Sequence, residues 1–198
     1  MEEMERNLKL PFLTFRSSFL FILGRYFWIA LNDGHKYRGA WHRGAIHGNG
    51  VFKYSNGSIY TGGFHQGLKH GQGHYISSSG YEYDGEWVSG KQIGKAFIKY
   101  KNGDVYEGHV LNGLRNGIGE LFLNNTKRYF KGCWKYNELV GEFKLIDPKF
   151  SFTGSTDQYY NKGNGKISYN DGSEYIGEVV NYQRIGSGTL KLSSLSYE

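Results

Sequence analysis

A phrase of aromatic and glycine residues recurs along this chain at a step of 23, and that recurrence limits the fold more than any single motif. Tyr37, Gly39, Trp41, Gly44, Gly48, Gly50 and Gly57 are followed 23 residues on by Tyr60, Gly62, Phe64, Gly67, Gly71, Gly73 and Gly80. The phrase returns in register as Tyr83, Gly85, Trp87, Gly90, Gly94 and Gly103, then as Tyr106, Gly108, Gly113, Gly117 and Gly119. A fifth copy slips by one residue to Phe130, Gly132, Trp134 and Gly141, with Asn137 and Phe143 where glycines are expected. A sixth runs from Phe152 and Gly154 to Gly172, and a seventh begins at Tyr175 and Gly177. Of 30 glycines, only Gly24 and Gly63 stand outside the template. A period of this length marks an array in which each unit leans on its neighbours.

Alternation within a unit predicts β-strands. Side chains two apart share one face of a pleated strand, so Tyr37, Gly39 and Trp41 point the same way. A second strand is predicted after each Gly-x-Gly, where Phe52 and Tyr54, or Ile98 and Tyr100, alternate in phase with the glycines. Asn56-Gly57, Asn102-Gly103 and Asp171-Gly172 read as tight hairpin turns between strands. A glycine leaves a bare patch of sheet on which a neighbouring ring can lie. The expected fold is all-β: tandem stacked β-hairpins forming one elongated, twisted antiparallel sheet. Gly85, a template position, is expected to tolerate valine less well than Gly63.

Composition agrees. Glycine at 30 residues, aromatic residues at 17% and two prolines fit strands and turns and exclude collagen or a helical bundle. Cys133 is the sole cysteine, so neither an internal disulfide nor a cysteine metal site is expected, and a reducing, cytoplasmic setting is. In the apolar stretch Phe12–Leu31, Arg16 and Arg25 break the run, leaving no uncharged segment long enough to cross a bilayer. Trp28–Gly34 aligns with Val51–Gly57 as the last strand of a preceding unit. The organisation read from the sequence is therefore an N-terminal segment, 1–27, acting as an edge cap or degenerate repeat, and an array over 28–198.

The phrase Tyr-x-Gly-x-Trp-x-x-Gly-x-x-x-Gly-x-Gly, closing in Asn-Gly or Asp-Gly, resembles the MORN repeat, the membrane occupation and recognition nexus module. The resemblance implies stacked β-hairpins and a binding role, as in junctophilins that tether membranes, with catalysis left to fused domains. Val110 and Val179 depart from it at the Trp position, and Thr156 and Tyr159 depart from it in the sixth unit.

No chemistry of another class is built into the pattern. The Gly-x-Gly copies never continue into Gly-Lys-Ser/Thr, so a phosphate-cradling loop is not expected. His42 with His65 and His47 with His70 occupy matching places in successive units, but no set of spaced ligands accompanies them. No enzyme, cofactor, metal or nucleic-acid partner is expected. Charge is more telling. From Gly34 to Tyr81 there is no Asp or Glu, while Lys36, Arg38, Arg43, Lys53 and Lys69, with six of the seven histidines, lie there. Arg38, His42, Lys53, His65 and His74 fall opposite in phase to the rings, with Arg43, His47, Lys69 and His70 assigned to adjoining loops.

The function read from this is a non-enzymatic scaffold. A groove of Tyr37, Trp41, Tyr60, Phe64, Tyr83, Trp87 and Tyr106 would bind a protein partner, helical or cytoskeletal. The alternative is a peripheral module recognising anionic phospholipid through Lys36, Arg38, Arg43, Lys53 and Lys69. Association with a membrane or the cytoskeleton, and self-association as a homodimer, stay open.

Overall fold

The computed structural model describes residues 27–157 and 161–193. The expected cap over 1–27 therefore lies outside the described residues but for Phe27. The chain divides into two compact units, Met1–Lys101 and Asn102–Glu198. The first holds β1 (Ile29–Ala30), a 3-10 turn (Asn32–Gly34), β2 (Lys36–His42), β3 (Ala45–Lys53), β4 (Ile59–His65), β5 (Leu68–Ile76), β6 (Glu82–Val88) and β7 (Lys91–Lys99). The second holds β8 (Val105–Leu111), β9 (Leu114–Leu123), β10 (Arg128–Lys135), β11 (Glu138–Asp147), β12 (Phe150–Thr156), β13 (Lys162–Tyr169), β14 (Glu174–Val180) and β15 (Gln183–Lys191). Within each unit every strand pairs antiparallel with the next in the chain. The all-β expectation holds.

The tight hairpins lie elsewhere than expected. Two-residue turns join β2 to β3 and β4 to β5, with both central residues at positive φ: Arg43 (50°) with Gly44 (78°), and Gln66 (50°) with Gly67 (85°). These are the mirror-image turns whose twist suits flanking strands. Asn137, at φ 74°, takes the glycine's place after Tyr136, since asparagine tolerates the left-handed region. The Asn-Gly sites instead close longer links between hairpins, as where Gly57 N donates to the Tyr54 carbonyl at 3.0 Å. The short turns also stitch neighbours together: Gly67 N donates to the Ile46 carbonyl at 2.8 Å and Gly90 N to the Lys69 carbonyl at 2.9 Å. Because they return the chain at once, the second strand begins before the Gly-x-Gly rather than after it.

The first strands β2, β4 and β8 carry a bulge just after the template glycine, with register shifts at Gly39/Trp41, Gly62/Phe64 and Gly108/Val110, whereas β12 pairs with β13 without one. A bulge leaves a residue out of the ladder, and its carbonyl needs a donor. The tyrosine three residues earlier supplies it. Tyr37 donates to the Ala40 carbonyl at 3.0 Å, Tyr60 to Gly63 at 2.9 Å, Tyr83 to Glu86 at 2.9 Å, Tyr106 to His109 at 2.8 Å and Tyr175 to Glu178 at 3.0 Å. To reach that carbonyl the rings of Tyr37, Tyr60, Tyr106 and Tyr175 lie across paired glycines, where a side chain would collide with them; beside Tyr83 the pair is Gly85 and Ala96.

Gly63 itself corrects the sequence reading: a Cβ there would overlap the His70 carbonyl, whereas one on Gly85 would meet Ala96 Cβ and the Lys95 carbonyl at 2.8 Å. Gly63 is the bulge residue of its strand, and Ala40 and Glu86 carry side chains at the matching places. Valine is thus no better accommodated at Gly63 than at Gly85 in the observed backbone.

Candidate functional site

The two faces of the first unit's sheet have divided the work. One face is filled by rings. Tyr37 packs edge-on against Trp41 at 5.4 Å and Phe64 at 5.5 Å, Tyr60 against Phe64 at 5.0 Å and Trp87 at 5.4 Å, and Tyr83 against Trp87 at 5.1 Å. Each tyrosine thus touches the large aromatic residue of its own hairpin, and Tyr37 and Tyr60 also touch that of the next. In the second unit Tyr106 meets Trp134 at 5.8 Å.

This packing overturns the expected aromatic groove. Tyr37, Tyr60, Tyr83 and Tyr106 are fully buried, and Trp41, Phe64 and Trp87 are at most 6% exposed. The rings are the core of the sheet, because the glycines opposite supply no side chains to cover them with. They cannot also present their faces to a partner. Burial pushes the Tyr37, Tyr60 and Tyr83 hydroxyls well above the usual tyrosine range.

The opposite face carries the charge. Lys36, Arg38, His42, Lys53, His65 and His74 are all exposed, as their phase predicts. Lys36 and Lys53 are direct cross-strand partners, a like-charge pairing that is unfavourable by itself. An aromatic ring sits among these cations: Lys53 Nζ is 4.4 Å and Arg38 Cζ 5.2 Å from the centre of the Trp28 ring. Trp28 is 37% exposed and Phe27 beside it 63%. Sequence reasoning aligned Trp28 as a strand residue but did not see it as the seat of the basic residues.

Arg43 is not part of that group. It occupies the turn at the far end of β2, roughly 20 Å of extended strand from Lys36. A file of histidines lies toward that end, with ring centres 5.5 Å apart from His42 to His47, 4.9 Å from His47 to His65 and 5.6 Å from His65 to His70. Gln66 N donates to His47 Nδ1 at 3.4 Å. His47 and His70 are strand residues, not loop residues as expected. Among the described residues no three His, Cys, Asp or Glu side chains are placed to hold a metal ion. His74 faces Asp84 across β5 and β6, and there the uninterrupted positive charge ends.

Lys69 departs furthest from expectation. It lies in β5 and turns toward the rings, half-buried, with Nζ 4.3 Å from the centre of Trp87, 4.7 Å from Tyr75, 5.2 Å from Tyr60 and 5.4 Å from Tyr54. Burial lowers its pKa to about 8. Its inward phase follows from the two-residue turn at Gln66 and Gly67.

Of the five predicted basic residues, then, the fold gathers Lys36, Arg38 and Lys53, sets Arg43 apart and hides Lys69. The four hairpins that carry this arrangement can be compared with known repeats. The family model for the MORN repeat matches residues 37–59, 60–80, 83–105 and 106–125. Residues 37–125 carry four MORN repeats. Beyond the matched residues, β14 and β15 keep the bulge and the tyrosine-to-bulge bond at Tyr175, whereas β12 and β13 pair without a bulge. No curated protein matches this chain in sequence. Among solved structures it is similar to the TCP domain of Drosophila melanogaster SAS-4, solved in complex with a proline-rich motif of Ana2. That likeness has 11% identity and a TM-score of 0.44, covering 84% of this chain and 88% of that one. Among the described residues no helix is long and apolar enough to cross a membrane.

Proposed function

We propose that the protein is a non-catalytic interaction module that docks an acidic protein segment on the outer face of its first MORN hairpins. The observation that carries this reading is the grouping of Lys36, Arg38 and Lys53 at Trp28, in a stretch without a carboxylate from Gly34 to Tyr81. Like charges held side by side on a strand pair cost stability, and an anionic ligand would offset that cost by charge-assisted hydrogen bonds. With the rings buried, the outer face is what this part of the protein offers a partner. The test is titration of the full chain with an Asp/Glu-rich peptide. Wild type should bind in a salt-sensitive way, and a Lys36→Gln, Arg38→Gln, Lys53→Gln variant should bind about tenfold more weakly, a loss of about 1.4 kcal/mol. Equal binding by the variant would overturn the reading.

A second reading has its own observation in its favour. Phe27 and Trp28 are exposed beside the cations, a combination suited to an anionic membrane surface, where aromatic rings sit at headgroup level. Vesicles with and without phosphatidylserine separate the two. Capture by anionic vesicles, lost in Trp28→Ala, without peptide binding would favour the membrane.

A further inference from the structure

Where one hairpin meets the next, the two strands pair in a repeated pattern. Between β3 and β4, Phe52 lies opposite Tyr60, Gly50 opposite Gly62 and Gly48 opposite Phe64. Between β5 and β6 the same three places set Tyr75 against Tyr83, Gly73 against Gly85 and Gly71 against Trp87. β9 meets β10 in the same way, ending in Gly117 against Trp134. The incoming strand thus brings one aromatic ring to a bulky side chain and a second, four residues on, to a glycine. Two of the indoles add a hydrogen bond, Trp87 Nε1 donating to the Gly73 carbonyl at 3.2 Å and Trp134 Nε1 to the Gly119 carbonyl at 2.9 Å.

β15 carries the receiving half of this pattern. Leu190, Gly188 and Gly186 occupy its three places. Among the described residues, however, β15 is the last strand of the sheet and pairs with β14 alone. All nine of its residues are exposed. Leu190 is 44% exposed, whereas its equivalents Phe52, Ile98 and Ile167 are at most 3%. An edge strand presents a row of N–H and C=O groups without ladder partners. The middle of this edge is Gly186-Ser187-Gly188, with no proline or long side chain to keep another backbone away.

We propose that the outer edge of β15 is a further binding site, which takes an extended segment of a partner protein, of the form Tyr-x-Gly-x-Trp, as an added antiparallel strand. In the register of the internal pairs, the partner's tyrosine lies against Leu190, its glycine against Gly188 and its tryptophan against Gly186. The indole N–H then donates to the Gly188 carbonyl, as Trp87 and Trp134 donate to the carbonyls of Gly73 and Gly119. Main-chain hydrogen bonds supply affinity in strand addition, and alternate side chains supply selectivity. Phenylalanine fits the third place, as Phe64 does opposite Gly48, but brings no N–H.

The probe is a fluorescein-labelled peptide with the sequence of β2, Lys36–His42, whose positive charge sets it against the basic face at Trp28. Anisotropy titration with the intact protein should show saturable binding below about 1 mM. Trp41→Ala in the peptide should weaken binding about tenfold, as expected for one buried aromatic side chain. Exchanging Trp41 with His42 in the peptide sends its two rings to opposite faces and should weaken binding at least as much. In the protein, Leu190→Lys should match the Trp41→Ala loss. Amide hydrogen exchange should slow in Gln183–Lys191 and stay unchanged in β3 to β5. The proposal is overturned by absence of saturable binding, by equal binding of the exchanged peptide, or by protection that falls outside β15. The peptide changes leave the protein unaltered, so the outcome does not depend on how Leu190→Lys folds.

Discussion

Tyr60 and Gly73 share one site: a Cβ on Gly73 would overlap the Tyr60 hydroxyl and lie 2.5 Å from its ring carbons. The same relation joins Tyr37 to Gly50, Tyr106 to Gly119 and Tyr175 to Gly188. Glycine there is required by a neighbour's ring rather than by its own backbone. Gly44 is the opposite case, with φ at 78° and no atom within 4 Å of where a Cβ would stand.

Gly73→Ala should therefore cost about 3 kcal/mol through overpacking, and Gly44→Ala only about 1 kcal/mol through backbone conformation. Urea denaturation of the two variants measures the difference. Similar losses would mean that the ring can shift aside.

Tyr60→Phe keeps the ring and removes the donor to the Gly63 bulge carbonyl. The expected loss is about 1 kcal/mol, that of a neutral hydrogen bond. Phe152 already lacks a hydroxyl at the equivalent place. β12 carries no bulge there to need one, so the comparison is Tyr60→Phe against wild type, judged by thermal denaturation.

The indoles differ in the same manner. Trp134 Nε1 donates to the Gly119 carbonyl at 2.9 Å and Trp87 Nε1 to the Gly73 carbonyl at 3.2 Å. Trp41 Nε1 is buried without a partner among the described residues. Trp41→Phe, which copies Phe64 of the next hairpin, should cost about 1 kcal/mol less than Trp134→Phe. Paired denaturation curves test this.

Stability should also depend on pH through Lys69. Its folded pKa, about 8, lies below the unfolded value of 10.5. Between those values the unfolded chain binds more protons, so stability rises with pH, the burial penalty being fully present below about 8 and relieved by about 10.5. Above about 10 the tyrosines act the other way, since burial raises Tyr37, Tyr60 and Tyr83 and holds Tyr81 at about 12. Unfolding then releases protons, and stability falls. Wild type should show a maximum near pH 10, and Lys69→Met should lack the rising limb between pH 8 and 10.

The strand content, the 23-residue step and the face that Tyr37, Gly39 and Trp41 share were legible in the chain alone, while the tight turns and the start of each second strand were not. The former depend on period-two alternation and on glycines at a fixed step, both local properties of a pleated backbone. Exposure of Arg38, His42 and Lys53 followed from the same phase. Tertiary structure decided three further matters. It buried Tyr37, Tyr60 and Tyr106 by laying each across a glycine of a paired strand, because the bulge carbonyl needed the hydroxyl; a sequence shows the ring and the glycine but not which covers the other. It seated Arg38 and Lys53 on Trp28, a residue separated from both in the chain. It also turned Lys69 inward, since the two-residue turn at Gln66 and Gly67 sets the phase of β5, and a residue that reads as part of a basic loop becomes the cation among the rings.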